Sequence, residues 1–144
     1  MALSANKTVL LEHKSSFSQL VGNYGSGAAN QSAVFYKGAL LVYDPADDTI
    51  KPGATGTGLI ALGRCEEQLA AGTKADIRVR SGIFPYENSG GGDAIANDDA
   101  GKTCYIVDDE TVALTDDSSS RSIAGKIVRV DSYGVWVAIN PYDR

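Results

Sequence analysis

The chain has 144 residues, enough for one folded core of ordinary size, and its apolar (43%) and charged (22%) fractions exclude wholesale disorder. Sixteen glycines, four prolines and a single methionine favour short strands joined by turns over long helices. The formal net charge of −5 is unevenly placed: from Asp93 to Asp117 eight carboxylates face Lys102 alone, and such a stretch repels nucleic acid.

Residues 1–33 read as an extended N-terminal arm ahead of a β-domain over 34–144. The arm is mostly small and polar, with one apolar cluster at Val9, Leu10 and Leu11 and a glycine-rich stretch from Gly22 to Gly27. Its β-prone segment, Thr8 to Leu11, suits a strand added to a partner on assembly; the alternative is an edge strand folded back on its own domain. Leu10 and Leu11 run straight into Glu12, His13 and Lys14, so no signal peptide is expected. No apolar run approaches a membrane span either.

From Val34 onward, short apolar runs alternate with turn formers. Val34 to Tyr36 and Ala39 to Tyr43 read as strands, stopped by Asp44-Pro45. After Lys51-Pro52-Gly53, Gly58 to Arg64 reads as another, and Glu66 to Ala71 as one helical turn ended by Gly72. In Lys74 to Arg80 the apolar Ala75, Ile77 and Val79 alternate with charged residues, the signature of a strand with one buried face. Ile83 to Tyr86 follows, then a loop rich in Gly, Ser and Asp from Asn88 to Asp93. Thr103 to Val107 and Thr111 to Leu114 form a hairpin candidate across Asp108-Asp109-Glu110. Ile123 to Val130 leads through a turn at Asp131 to Gly134 into Val135, Val137 and Ile139, which share one face. Trp136 falls on the other, so either both faces of that strand are covered or Trp136 meets another subunit. The pattern predicts an all-β chain: a single β-sandwich or β-barrel-like domain of short antiparallel strands behind the arm.

The two halves show an internal similarity. Lys37-Gly38, a Tyr-Asp strand end and Ala61-Leu62-Gly63-Arg64 precede one alternating strand; Ala100-Gly101, Tyr105 with Asp108 and Ile123-Ala124-Gly125-Lys126 precede another. A duplicated β-unit explains this, and so does chance likeness between turn-rich β sequences.

Chemical motifs are sparse. Gly56-Thr57-Gly58-Leu59-Ile60-Ala61 loosely fits a dinucleotide fingerprint, but it lacks the preceding strand and following long helix that a pyrophosphate site needs, so no cofactor is expected. His13 is the sole histidine and lies in the arm, where no base is held rigidly beside a nucleophile. Cys65 and Cys104 have no metal-type cluster around them and read as buried free thiols, with a disulfide as the alternative. The Asp pairs 98/99, 108/109 and 116/117 lack the Asp-x-Asp-x-Asp-Gly spacing of a calcium loop and read as acidic turns, so no metal is expected.

The run Asp99 to Thr115, followed by Ser122 to Asp131 and Gly134 to Ile139, resembles the C-terminal half of the capsid decoration (head cement) proteins of tailed bacteriophages. There a Gly, Tyr-x-x-Asp, Thr hairpin precedes an Ile-Ala-Gly-Lys-Val strand and a terminal Val-x-Val strand. Lys37 to Leu41 and Gly58 to Gly63 are similar to the first half. The longer start, Met1 to Asn30, and the Asn88 to Gly101 segment depart from the pattern. The resemblance implies a non-enzymatic, β-rich homotrimer on the outer surface of the virion, binding the major capsid protein and bridging capsomers, with no cofactor, nucleic acid or membrane partner. On that expectation Thr8, Val9, Leu10 and Leu11 contact the capsid, and Trp136 with Tyr133 lies at a subunit interface. The competing expectation is a carbohydrate- or receptor-binding β-module of a virion, with Tyr24, Tyr86, Tyr133 and Trp136 as an aromatic platform.

Overall fold

The computed structural model describes residues 20–21 and 24–140, so Thr8 to Leu11 and His13 lie outside the described residues. Eleven strands follow in chain order: β1 (Leu20–Val21), β2 (Tyr24–Ala28), β3 (Leu40–Asp44), β4 (Thr49–Pro52), β5 (Ile60–Cys65), β6 (Asp76–Arg80), β7 (Gly82–Asn88), β8 (Thr103–Ile106), β9 (Thr111–Ala113), β10 (Ile123–Asp131) and β11 (Gly134–Ile139). Among the described residues there is no α-helix, and two short 3-10 turns, Gly91–Asp93 and Asn97–Asp99, are the helical content. The protein is therefore all-β, as its glycine-rich, turn-punctuated sequence requires.

The strands fall into two units of the same design. β7 to β11 close a five-stranded barrel in the order β10-β11-β7-β9-β8. β1 to β6 form a six-stranded sheet in the order β1-β2-β6-β5-β3-β4, whose strands β2 to β6 repeat the barrel's order and are drawn into a second, less complete barrel by one isolated bridge. Their ends meet where Ala29 bridges Ile50 in parallel and the Asn30 N–H donates to the Ile50 carbonyl at 3.0 Å. In the second unit Asn88 pairs with Val112 in parallel, and the Ser89 N–H donates to the Val112 carbonyl at 3.0 Å.

Registers agree residue by residue. Leu40 faces Arg64, Leu41 faces Gly63 and Val42 faces Ala61; Thr103 faces Lys126, Cys104 faces Gly125 and Tyr105 faces Ile123. A bulge skips Leu62 in one unit and Ala124 in the other. Gly38 and Gly101 both adopt positive φ and donate to the carbonyls of Cys65 (2.9 Å) and Ile127 (2.7 Å). The internal similarity of the sequence is thus a duplicated β-unit.

Each barrel is filled by its inward rows: Leu41, Ile50, Leu62, Ile77 and Val79 in the first, and Cys104, Val112, Ala124, Val135 and Val137 at the matching places in the second. The smaller Cys104 and Ala124 are offset by Tyr86, which faces Val135 where the first unit sets Gly27 against Ile77, so volume is redistributed rather than lost. A loop residue completes each core: Phe35 in the first barrel and Ile95 in the second. Asn88 fixes Ile95 by accepting its N–H (2.9 Å) and donating to its carbonyl (2.8 Å), so the Asn88 to Asp93 loop is tied down at its far side.

The barrels share a joint. Leu40, Val42 and Ala61 project from the outside of the first barrel, are fully buried, and belong to the hydrophobic cluster of the second. Around them the Leu40 N–H donates to the Asp109 carbonyl (2.7 Å), Ala54 bridges Asp108, and the Ser122 hydroxyl accepts from the Leu59 N–H (3.1 Å) while donating to the Gly56 carbonyl (2.7 Å). The glycine run once compared with a dinucleotide loop therefore serves as part of this joint.

Three local readings change. The arm does not extend to residue 33, because Tyr24–Ala28 pairs along β6 from Gly25–Val79 to Ala28–Asp76; its small residues join the sheet through backbone hydrogen bonds, without an apolar pattern to announce them. Glu66 to Ala71 makes no helical turn: Leu69 exchanges two backbone hydrogen bonds with Phe35, at 2.8 and 2.9 Å, which holds both segments extended. The same exchange reduces the Val34 to Tyr36 strand to a single bridge. Beyond these, β4, which no sequence reading singled out, pairs fully with β3, and Pro52 ends it.

Candidate functional site

The residues expected at a subunit interface stand together on the outer surface. Trp136 lies on the face of β11 opposite the buried Val135, Val137 and Ile139, beside Pro85 on one neighbouring strand and Arg129 on the other. The Arg129 guanidinium stacks 4.7 Å from the Trp136 ring, and Tyr133, 77% exposed, meets that ring edge-on at 6.4 Å. The indole N–H is buried without a well-formed hydrogen bond, yet it is the largest influence holding the Asp131 carboxyl below its ordinary value, aided by the Tyr133 N–H and Arg129. Tyr86 does not join them. It is inside the second barrel with its hydroxyl unpartnered, and burial raises its pKa far above the phenol range, so the four-residue aromatic platform is not assembled.

A second outward surface was not singled out in sequence. On the outside of β8 and β10 stand Thr103, Tyr105, Ile123 and Lys126, partly or fully exposed, with Ile123 42% exposed. Beside them a groove of about 330 Å³ runs over Ala124, Gly125, Ala138 and Asn140. Gly125 in its lining has no room for a side chain, since a Cβ there would sit 2.2 Å from the Ala138 carbonyl oxygen. The signal that could have found this row was the repeat itself, which aligns it with the apolar Leu40, Val42 and Ala61.

The acidic residues are engaged in turns and clamps. Asp93 accepts from the Thr115 hydroxyl and from Arg121 (3.2 Å), while Arg121 also donates to the Thr115 carbonyl (3.0 Å). Asp99 accepts from Lys102 (2.8 Å) and the Ala96 N–H (2.9 Å), and Asp44 and Asp47 share Lys51 at 2.8 Å each. Among the described residues no three His, Cys, Asp or Glu side chains converge as a metal site would require, and no helix is long and apolar enough to cross a membrane.

These pairings set the acid behaviour. Hydrogen bonds from Lys51 lower Asp44 and Asp47, those from Thr115 and Arg121 lower Asp93, and that from Lys102 lowers Asp99. A carboxyl depressed in the folded state adds stability above its unfolded value, near 3.8, and loses it as pH falls through the folded value. Glu110, raised chiefly by the charge of Glu87, and Asp109, raised chiefly by burial, act in the opposite sense and are relieved by protonation at somewhat higher pH. Urea midpoints should therefore hold or rise slightly on acidification to about pH 4 and fall below it. A steady fall from neutral pH downward would contradict these assignments.

Both cysteines are free and buried. Burial raises the Cys65 thiol and pushes Cys104 up to about 12. An aromatic disulfide reagent at mildly alkaline pH should leave both unlabelled in the native protein and label both in denaturant. Rapid native labelling of Cys104 would contradict its place inside the second barrel. Comparison with protein-family models, curated proteins and solved structures returns no match for the chain.

Proposed function

We propose that this chain is a structural virion protein that binds the outer surface of a phage head, as a homotrimer, and stabilises the capsid by bridging neighbouring capsomers, with no catalytic step and no cofactor. The observation that carries the reading is that the three runs resembling decoration proteins, Asp99 to Thr115, Ser122 to Asp131 and Gly134 to Ile139, form most of one closed barrel, β8 to β11. Their polar side chains serve that barrel: Asp99 and Lys102 pin a turn, Lys126 donates to Thr103, and Ser122 ties the joint. Such a body suits a passive load-bearing part, since many copies that each add modest interface energy across a capsomer joint strengthen a shell collectively.

Mixing the purified protein with undecorated heads, and separately with immobilised glycans, tests this. Co-sedimentation with heads alone is the expected result. Retention on glycans without head binding would replace it with the receptor- or carbohydrate-binding reading. Removal of residues 1–19, which precede the described strands, should abolish head binding if Thr8 to Leu11 supplies the shell contact, and unchanged binding would place that contact elsewhere.

A further inference from the structure

The duplicated units are equal in design and unequal in what covers them. In the first barrel Leu40, Val42 and Ala61 of the outer row are covered by the second barrel, and Arg64, partly exposed at the row's end, lies over Phe84. The corresponding row of the second barrel is Thr103, Tyr105, Ile123 and Lys126, and among the described residues none covers it as the second barrel covers the first.

The groove sharpens the comparison. Its counterpart in the first barrel runs past Gly63 and Gly82, and there Phe84 from the next unit fills the space. Phe84 is 7% exposed, its ring lies 4.3 Å from the Arg64 guanidinium, and a side chain at Gly82 would come within 3.1 Å of that ring. In the second barrel the matching space, past Gly125 and Asn140, stands open at about 330 Å³.

We propose that this row and groove are the docking face for the first barrel of a second copy of the chain. The joint inside the chain supplies the reason for that occupant. What the first barrel's row meets is a barrel of this same design, approached at the turn between its second and third strands, where Asp109 accepts from Leu40. The equivalent turn of the first barrel lies between β3 and β4, and its Pro45, Ala46, Asp47 and Asp48 are exposed. The chain thus carries on each barrel a counterpart of one half of the joint, the row with Lys126 on the second and the exposed β3–β4 turn on the first. In the arriving copy the β1–β2 hairpin occupies the position of the chain around Phe84, since Gly25 faces Val79 as Phe84 faces Val137, with Leu20 paired across from Gly25. A contact of one barrel with a different barrel of the next copy is heterologous, so it closes into rings or continues as a filament and does not make a two-fold dimer.

This deepens the oligomeric part of the proposed function and rests on it, and the experiment separates the two. Sedimentation velocity and native mass spectrometry of the intact chain over a wide concentration range give the assembly constant, and heads are then added to the same samples. Wild type is expected to form oligomers, and Ile123→Asp to weaken them at least about tenfold while keeping its thermal midpoint, because Ile123 is already exposed in the single chain. Lys126→Glu should weaken them as well, and Tyr133→Ala should leave them intact. A wild-type chain that stays monomeric at every concentration overturns the proposal, as does an Ile123→Asp protein that assembles normally. Oligomers that lose mass with Ile123→Asp but bind no head support this face and count against the virion role.

Discussion

Replacing Gly63 with alanine is expected to destabilise the fold by about 4 kcal/mol, combining backbone strain with overpacking against a neighbour that cannot yield. Gly63 lies in β5 opposite Leu41, with φ at +150°, and a Cβ there would fall 2.0 Å from the carbonyl oxygen of Arg80. The obstacle is the backbone of β6, so no side-chain rotation relieves it. Gly125 holds the same place in the second barrel, 2.2 Å from the Ala138 oxygen, and Gly125→Ala should also be severe. Gly90 has no atom within 4 Å of its would-be Cβ, and its replacement by alanine should change stability by less than about 0.5 kcal/mol. Denaturant midpoints of the three variants check the ranking. A mild Gly63→Ala beside a severe Gly90→Ala would contradict the register of both barrels.

Truncating Leu40 is expected to cost about 3 kcal/mol, the usual scale for deleting a fully buried leucine whose surroundings cannot collapse. Leu40 is completely covered, and its side chain stands with Ile106 of the second barrel over Gly53. Because Leu40 belongs to the joint, Leu40→Ala should do more than lower the midpoint. The denaturant slope should fall as the two barrels begin to unfold separately. Thr103→Ala, at the matching position of the second barrel, should cost less than about 1 kcal/mol, since it removes a surface hydroxyl whose partner is the exposed Lys126 amine. Equal costs at the two positions would show that the joint does not depend on Leu40, and the case for two equivalent faces, one covered and one open, would go with it.

Much of the β architecture was legible wherever a strand has one wet face. The alternation in Lys74 to Arg80 and in Val135 to Ile139 became β6 and β11, with Ile77, Val79, Val135, Val137 and Ile139 inside and Ala75 exposed ahead of β6, and the hairpin across Asp108-Asp109-Glu110 became β8 and β9, paired Tyr105 to Ala113 and Ile106 to Val112. Elements without that alternation were lost. β2 is Tyr-Gly-Ser-Gly-Ala, with no alternating apolar residues to mark a strand, and β4 carries a proline that looks like a stop. The false helical turn at Glu66 to Ala71 has a local helical pattern, which a long-range exchange with Phe35 overrides. The parallel closure between β7 and β9 has no local sequence signal at all, since it joins strands more than twenty residues apart.

The candidate surfaces follow the same division. Trp136 could be placed on an outer face from alternation alone, and Arg129, Tyr133 and Asp131 do surround it there. Tyr86 was misassigned to the same platform because an aromatic in an alternating strand fits either face until the partner strand is known. The open row at Thr103, Tyr105, Ile123 and Lys126 is faintly visible in the repeat, where leucine, valine and alanine in one copy stand against threonine, tyrosine and isoleucine in the other. One sequence with two weakly similar halves does not weigh that difference; paired registers do.

Heating DNA-filled heads that lack a decoration protein, with and without this chain, and following DNA release by dye fluorescence tests the stabilising role at its most direct point. Release is expected to shift to higher temperature with added protein, to saturate at a fixed ratio of chains to capsomers, and to return to the bare-head value with the variant that fails to bind. Heads that bind the protein yet release DNA at an unchanged temperature would contradict the account.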